Sequence, residues 1–138
     1  MEMDVIYVGI DPGTQTGVAL WDKKYQNFIS IRTMQIHNAL AYVRDWSLRH
    51  KLTVFIEDPN TWKPFGKRDT MKLQGAGSIK RDFAIWRDFC EDEKIEMIPV
   101  KLQGTTKKID SNYFNKLTGQ TFKTSVHARD AAMLVFKR

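Results

Sequence analysis

Cysteine occurs once in the 138 residues, at Cys90, so no internal disulfide can form and a reducing compartment is the expectation. The four prolines and eight glycines are too few for a low-complexity or disordered chain. No apolar run approaches the ~20 residues that span a bilayer. The opening Met-Glu-Met-Asp carries acids where a secretory signal carries bases, so a cytoplasmic protein without a membrane partner is expected. Neither an internal repeat nor a linker divides the chain, and its length is that of one domain, 1–138.

What is present is an ordinary apolar fraction of 42%, a net charge of +6, and four Trp, four Tyr and eight Phe. The basic excess favours an anionic partner, and the aromatics supply surfaces on which bases could stack.

The opening motif is Val8-Gly-Ile-Asp-Pro-Gly-Thr-Gln-Thr-Gly-Val-Ala-Leu20. Val5 to Ile10 is a short β-branched run that meets Asp11-Pro12-Gly13, so Asp11 is expected at a strand tip. Gly17 to Trp21 follows as a second strand, with Gly13 and Gly17 relaxing the hairpin loop. Phe28 to Met34 alternates as a third. Asn38 to Arg49 has helical spacing, with Asn38 as the expected N-cap and Arg49, His50 and Lys51 in the last turn. Thr53 to Ile56 is a continuous apolar strand, and Glu57 ends it. Asp58 is the competing acid, but it precedes Pro59 and begins the turn, and alternation along a strand sends only one of the two to a given face.

Between 58 and 70, Trp62 and Phe65 are interleaved with Lys63, Lys67 and Arg68. Such a loop either stacks on nucleic acid or folds its rings back on the core. Met71 to Glu93 reads as a long helix with Ile79, Phe83, Trp86 and Cys90 on its buried stripe, and with Lys72, Lys80 and Arg81 as further candidate DNA contacts. Gly75 and Gly77 imply either a start near Ser78 or a close backbone approach. Ile95 to Val100, with Glu96 and Pro99, suits a sheet edge. Lys108 to Leu117 reads as a helix closed by Gly119, and Ser125 as the N-cap of a last helix running to Lys137.

On that last helix His127 and Asp130 share a face. Parallel first and fourth strands would bring Asp11 and Glu57 to neighbouring tips. The last helix across that end would complete a cluster of Asp11, Glu57, His127 and Asp130. Acids so close need cations, and oxygen-rich ligation suits Mg²⁺ or Mn²⁺. Two such ions would serve hydrolysis of a nucleic-acid backbone.

Four motifs taken together resemble the RuvC family of Holliday-junction resolvases, in the RNase H-like (retroviral-integrase-like) superfamily. They are Gly9-Ile10-Asp11-Pro12-Gly13 with Thr16-Gly17, Phe55-Ile56-Glu57, Lys72-Leu73-Gln74-Gly75-Ala76-Gly77, and His127-Ala128-Arg129-Asp130-Ala131-Ala132. The resemblance implies an α/β, RNase H-like fold: a five-stranded mixed sheet, a three-strand meander followed by parallel strands, flanked by helices. It implies Asp11, Glu57 and Asp130 as catalytic carboxylates, with His127 where many members have a fourth acid. It further implies a homodimer that nicks four-way junctions and other branched DNA, with two Mg²⁺ per active site and no small-molecule substrate. An aromatic near the junction centre would be Trp62 or Phe65, and Lys101, Lys107 and Lys108 lie where the family carries lysines near the scissile phosphate. Leu-Gln-Gly replaces the expected Leu-Gly-Gln, and the short chain suggests a phage or mobile-element relative in a bacterial cytoplasm or infected host.

Three other readings remain. The opening glycines also resemble the phosphate-binding turn of sugar kinases and actin-like ATPases, which need a second domain. A YqgF-like RNA-processing nuclease shares the fold, and so does a nucleic-acid-binding module without catalysis.

Overall fold

The computed structural model describes residues 4–59, 70–101 and 109–138, with the backbone alone for 70–76. Strands Val5–Asp11 (β1), Gln15–Asp22 (β2) and Asn27–Gln35 (β3) form the antiparallel meander. Lys51–Glu57 (β4) lies parallel to β1 on its other side, and Glu96–Val100 (β5) lies parallel to β4. The strand order is β3-β2-β1-β4-β5, so β1 is central and β5, with Pro99, is at an edge as its sequence implies. This is the mixed five-stranded, helix-flanked sheet of the RNase H-like fold.

The pleat of β1 and β4 divides the core in two. Ile6, Val8, Ile10, Val54 and Ile56 face a layer made by helices Ile36–Ser47 (α1) and Thr70–Glu93 (α2), which contribute Ala39, Val43, Phe83, Trp86 and Cys90. Phe55, with Ala19 and Trp21 of β2, faces helices Ser111–Thr118 (α3) and Val126–Val135 (α4), which contribute Phe114, Ala128, Ala131 and Ala132. Both faces of the central strands are therefore covered, which explains their nearly unbroken apolar runs.

The helix boundaries differ from the sequence pattern for local reasons. α1 begins at Ile36, not after Asn38, and Gln35 at its N-cap makes no side-chain cap bond. Instead the Ile36 N–H donates to the Thr14 carbonyl at 3.2 Å, so the turn between β1 and β2 caps the helix. Arg44 is the base in its last turn; Arg49 and His50 lie beyond the helix and Lys51 opens β4. The backbone of α2 is helical from Thr70 through Gly75 and Gly77, and a Cβ on Gly77 would meet nothing within 4 Å. A start at Ser78 therefore does not hold, and among the described residues nothing approaches Gly77 closely.

α3 begins at Ser111 because the Asp110 carboxylate accepts the Tyr113 N–H at 2.8 Å, and Gly119 closes it at φ 78. Lys108 lies outside the described residues. α4 starts as expected, with Ser125 Oγ accepting the Ala128 N–H at 3.1 Å. It ends at Val135, before Lys137.

Candidate active site

Asp11 is the last residue of β1, at the centre of the sheet. Glu57 is the last residue of β4, one step beyond the Ile10–Ile56 pair that ends the parallel register. Alternation places Glu57 on the same face as Phe55, and Asp11 on the same face as Gly9, which is the face that α4 covers. Asp58 falls in the opposite phase, and its N–H donates to the Val100 carbonyl at 2.9 Å.

The approach of α4 depends on two glycines. A Cβ on Gly9 would stand 2.0 Å from the Ala131 carbonyl oxygen, and one on Gly17 would stand 2.0 Å from that of His127. Both contacts are impossible for any side chain, so helix backbone lies directly on strand backbone. Gly17 is thus an interior residue of β2, not a loop residue. Ser125 at the N-cap also hydrogen-bonds the Thr33 hydroxyl of β3, which fixes the first turn of α4 from a second side.

This seating brings His127 Nδ1 to 2.9 Å from Asp11 Oδ2. The Asp11 side chain is 17% exposed and that of His127 is 51% exposed, so the pair opens to solvent from the imidazole side. Burial pushes the Asp11 carboxyl up from its ordinary value of 3.8 to about 6. The hydrogen bond to His127 opposes that rise, while the charges of Asp130 and Glu57 add to it. Glu57, His127 and Asp130 therefore each act electrostatically on the half-buried Asp11. Among the described residues, no three His, Cys, Asp or Glu side chains converge closely enough, as they stand, to hold a metal ion.

The donor set still has the chemistry of a hard divalent cation site. Three carboxylates and an imidazole would offer it ligands, and both the burial that chiefly raises Asp11 and the smaller repulsion from Asp130 and Glu57 are what a cation would offset.

Among the expected DNA contacts, Lys101 is exposed and directly follows Val100, which pairs with Glu57. It leaves the sheet at the candidate end. Lys80 and Arg81 are exposed on α2, which packs on the face opposite α4. Trp62, Lys63, Phe65, Lys67, Arg68, Lys107 and Lys108 lie outside the described residues, as does the side chain of Lys72.

The sequence pattern assigned no contact to Gly9 and no role to Arg129. Gly9 carried a signal, since glycine inside a strand pattern marks a close backbone approach. Arg129 stands between His127 and Asp130 and is 8% exposed. Its Nε donates to the Ile109 carbonyl at 2.9 Å, and its Nη1 donates to the Thr124 carbonyl. An arginine on an exposed-looking helix start gives no sequence signal for such a role.

No protein-family model matches the chain, and no curated protein matches it. Among solved structures it is similar to T. thermophilus RuvC in complex with a Holliday junction substrate, at 13% identity and a TM-score of 0.66. The likeness covers 96% of this chain and 90% of that one. At such identity it is a likeness of fold.

Proposed function

We propose that this chain is a divalent-metal-dependent, structure-selective endonuclease that nicks four-way junctions and related branched DNA. The observation that carries the reading is Asp11, buried at the tip of the central strand, bonded to His127 and raised toward neutrality by burial together with the charges of Glu57 and Asp130. A chain-long likeness of fold to a junction-bound resolvase supports it. So does the net charge of +6, which suits a polyanionic substrate.

In this reading Asp11, Glu57, His127 and Asp130 hold Mg²⁺ or Mn²⁺, two ions per site. The ions would supply activation of water and stabilisation of the leaving oxygen. The Asp11 carboxylate is the central ligand, and its contact with His127 sets the position of both before any ion arrives. His127, half-exposed, stands on the solvent side where a phosphodiester would enter. Lys101, beside the Glu57 tip, supplies positive charge to a phosphate there. Affinity for DNA would come mostly from Lys and Arg contacts to phosphates rather than from the acids, and a homodimer would present two such sites to the two strands of a junction.

The test uses labelled four-way junction, linear duplex, Y-fork and RNA/DNA hybrid, with Mg²⁺ and with chelator. Paired symmetrical nicks in the junction, lost with chelator, are the expected result. Preferential cutting of RNA would favour an RNA-processing nuclease of the same fold. Binding without cutting under any metal would favour a binding module instead.

A further inference from the structure

At the other end of the sheet, where β2 turns into β3, a cleft of about 540 Å³ is lined by Trp21, Phe28, Leu117, Phe136 and Lys137, with the amides of Gln26, Asn27 and Gln120 at its margin. Its size falls within the roughly 300–1,000 Å³ of small-ligand sites. Phe28 and Phe136 stack at 6.0 Å and 11°, and Trp21 meets both edge-on. Trp21 is 2% exposed, and its indole Nε1 is buried without a hydrogen-bond partner. A buried donor without an acceptor is costly, and this one lies behind the aromatic wall rather than on it.

Lys137 lines this cleft, and the adjoining β2–β3 turn carries Lys24 and Tyr25. Lys137 Nζ stands 5.4 Å from the Phe136 ring centroid, and Lys24 Nζ 5.3 Å from that of Tyr25, which is 68% exposed. Asp22, the acid in this turn, directs its carboxylate to the Lys24 and Tyr25 N–H groups at 2.9 and 3.0 Å, which holds the turn in shape. A second cleft at this end, on the α1 and α2 face, differs in being charge-balanced: Lys51 and Lys94 line it together with Glu93 and Glu96. Of the two, the aromatic cleft alone combines rings and side-chain amides with a lining whose charged side chain is a lysine.

We propose that this cleft and the β2–β3 turn form a second nucleic-acid surface, one that takes an unpaired strand. Tyr25 would offer a ring for a base to stack on, the cleft would take a neighbouring base, and Lys24 and Lys137 would turn from their rings to the phosphates. Duplex DNA, whose bases are stacked inside, cannot use such rings. The register separates this surface from the candidate active site: Ile6 pairs with Asp22 and Asp11 pairs with Gly17, a separation of ~17 Å along β1. The proposal goes beyond the nuclease reading and does not depend on it.

Fluorescence anisotropy on the full chain tests it, with labelled oligo-dT, oligo-rU and blunt duplex as probes in chelator. The double variant Lys24→Glu with Lys137→Glu is expected to lose at least tenfold in affinity for both single strands and less than twofold for duplex. The slope of log affinity against log salt should fall by about 1.4 for two phosphate contacts. Tyr25→Ala should weaken single-strand binding roughly 5- to 150-fold with the slope unchanged. Loss for dT alone or rU alone would narrow the strand to one sugar and still support the surface. Equal losses on single strand and duplex, unchanged single-strand affinity in both variants, or no single-strand binding by the parent chain would overturn it. So would a change confined to self-association in sedimentation. Melting curves of the variants, whose substituted side chains are exposed, separate loss of binding from loss of fold.

Discussion

Asp11 concentrates two opposed demands in one side chain. Its carboxyl is raised to about 6, so between pH 4 and 6 the folded chain holds a proton there that the unfolded chain has released. Stability from this group therefore falls as pH rises through that interval, and the full penalty is present above about pH 6. Asp11→Asn removes the penalty and leaves an oxygen to accept from His127. The expected result is a rise of roughly 1–3 kcal/mol in unfolding free energy at pH 7, shrinking below pH 4, read from denaturant curves across pH. The same substitution should abolish junction cleavage and leave junction binding largely intact. A variant more stable, still binding and catalytically dead would identify Asp11 as a residue held against stability for function. One that is less stable at pH 7 would contradict burial as the cause of the raised carboxyl.

At the scale of elements, the last helix positions half of the candidate site. Gly17→Ala would drive a Cβ into the His127 carbonyl, so the first turn of α4 must lift and His127 must move from Asp11. A cost of about 1–3 kcal/mol is expected, with the cleavage rate falling far more than junction affinity. Ser125→Ala loses the bond from the Ala128 N–H and should cost about 1 kcal/mol, visible as faster amide exchange in that turn.

Much of this architecture was legible in advance. Five strands, their order of appearance and the strand-tip placement of Asp11 and Glu57 follow from apolar runs that stop at turn residues. The cap at Ser125 and the close of α3 at Gly119 follow from side chains that act locally. What stayed hidden depends on partners distant in sequence. α1 is capped by the Thr14 carbonyl, which no reading of residues 36–49 reveals. Arg129 is buried by bonds to Ile109 and Thr124 carbonyls, and its neighbours in sequence say nothing of them. Gly17 reads as a loop residue until the helix that lies against it is in place.

For the molecule as a whole, Cys90 reports on cooperativity. It is 1% exposed within the layer under α2, and burial pushes its thiol up to about 12. Thiol reagents at pH 8 should therefore modify the native chain only as fast as it opens, and should react at once in denaturant. Rapid labelling of the native chain would show that α2 separates from the sheet more readily than the packing of Phe83, Trp86 and Phe89 implies.

The glycines of this chain also foretell how its sequence can drift. Gly9 and Gly17 touch helix backbone and admit no side chain, whereas Gly77 looks into open space, and alanine there should add about 0.5–1 kcal/mol. In a library of random variants, selection for folding alone should freeze the first two positions and leave the third free. Lineages could then diverge almost everywhere while the spacing between the central strand and the last helix stayed fixed, so descendants would share this geometry long after their sequences ceased to align.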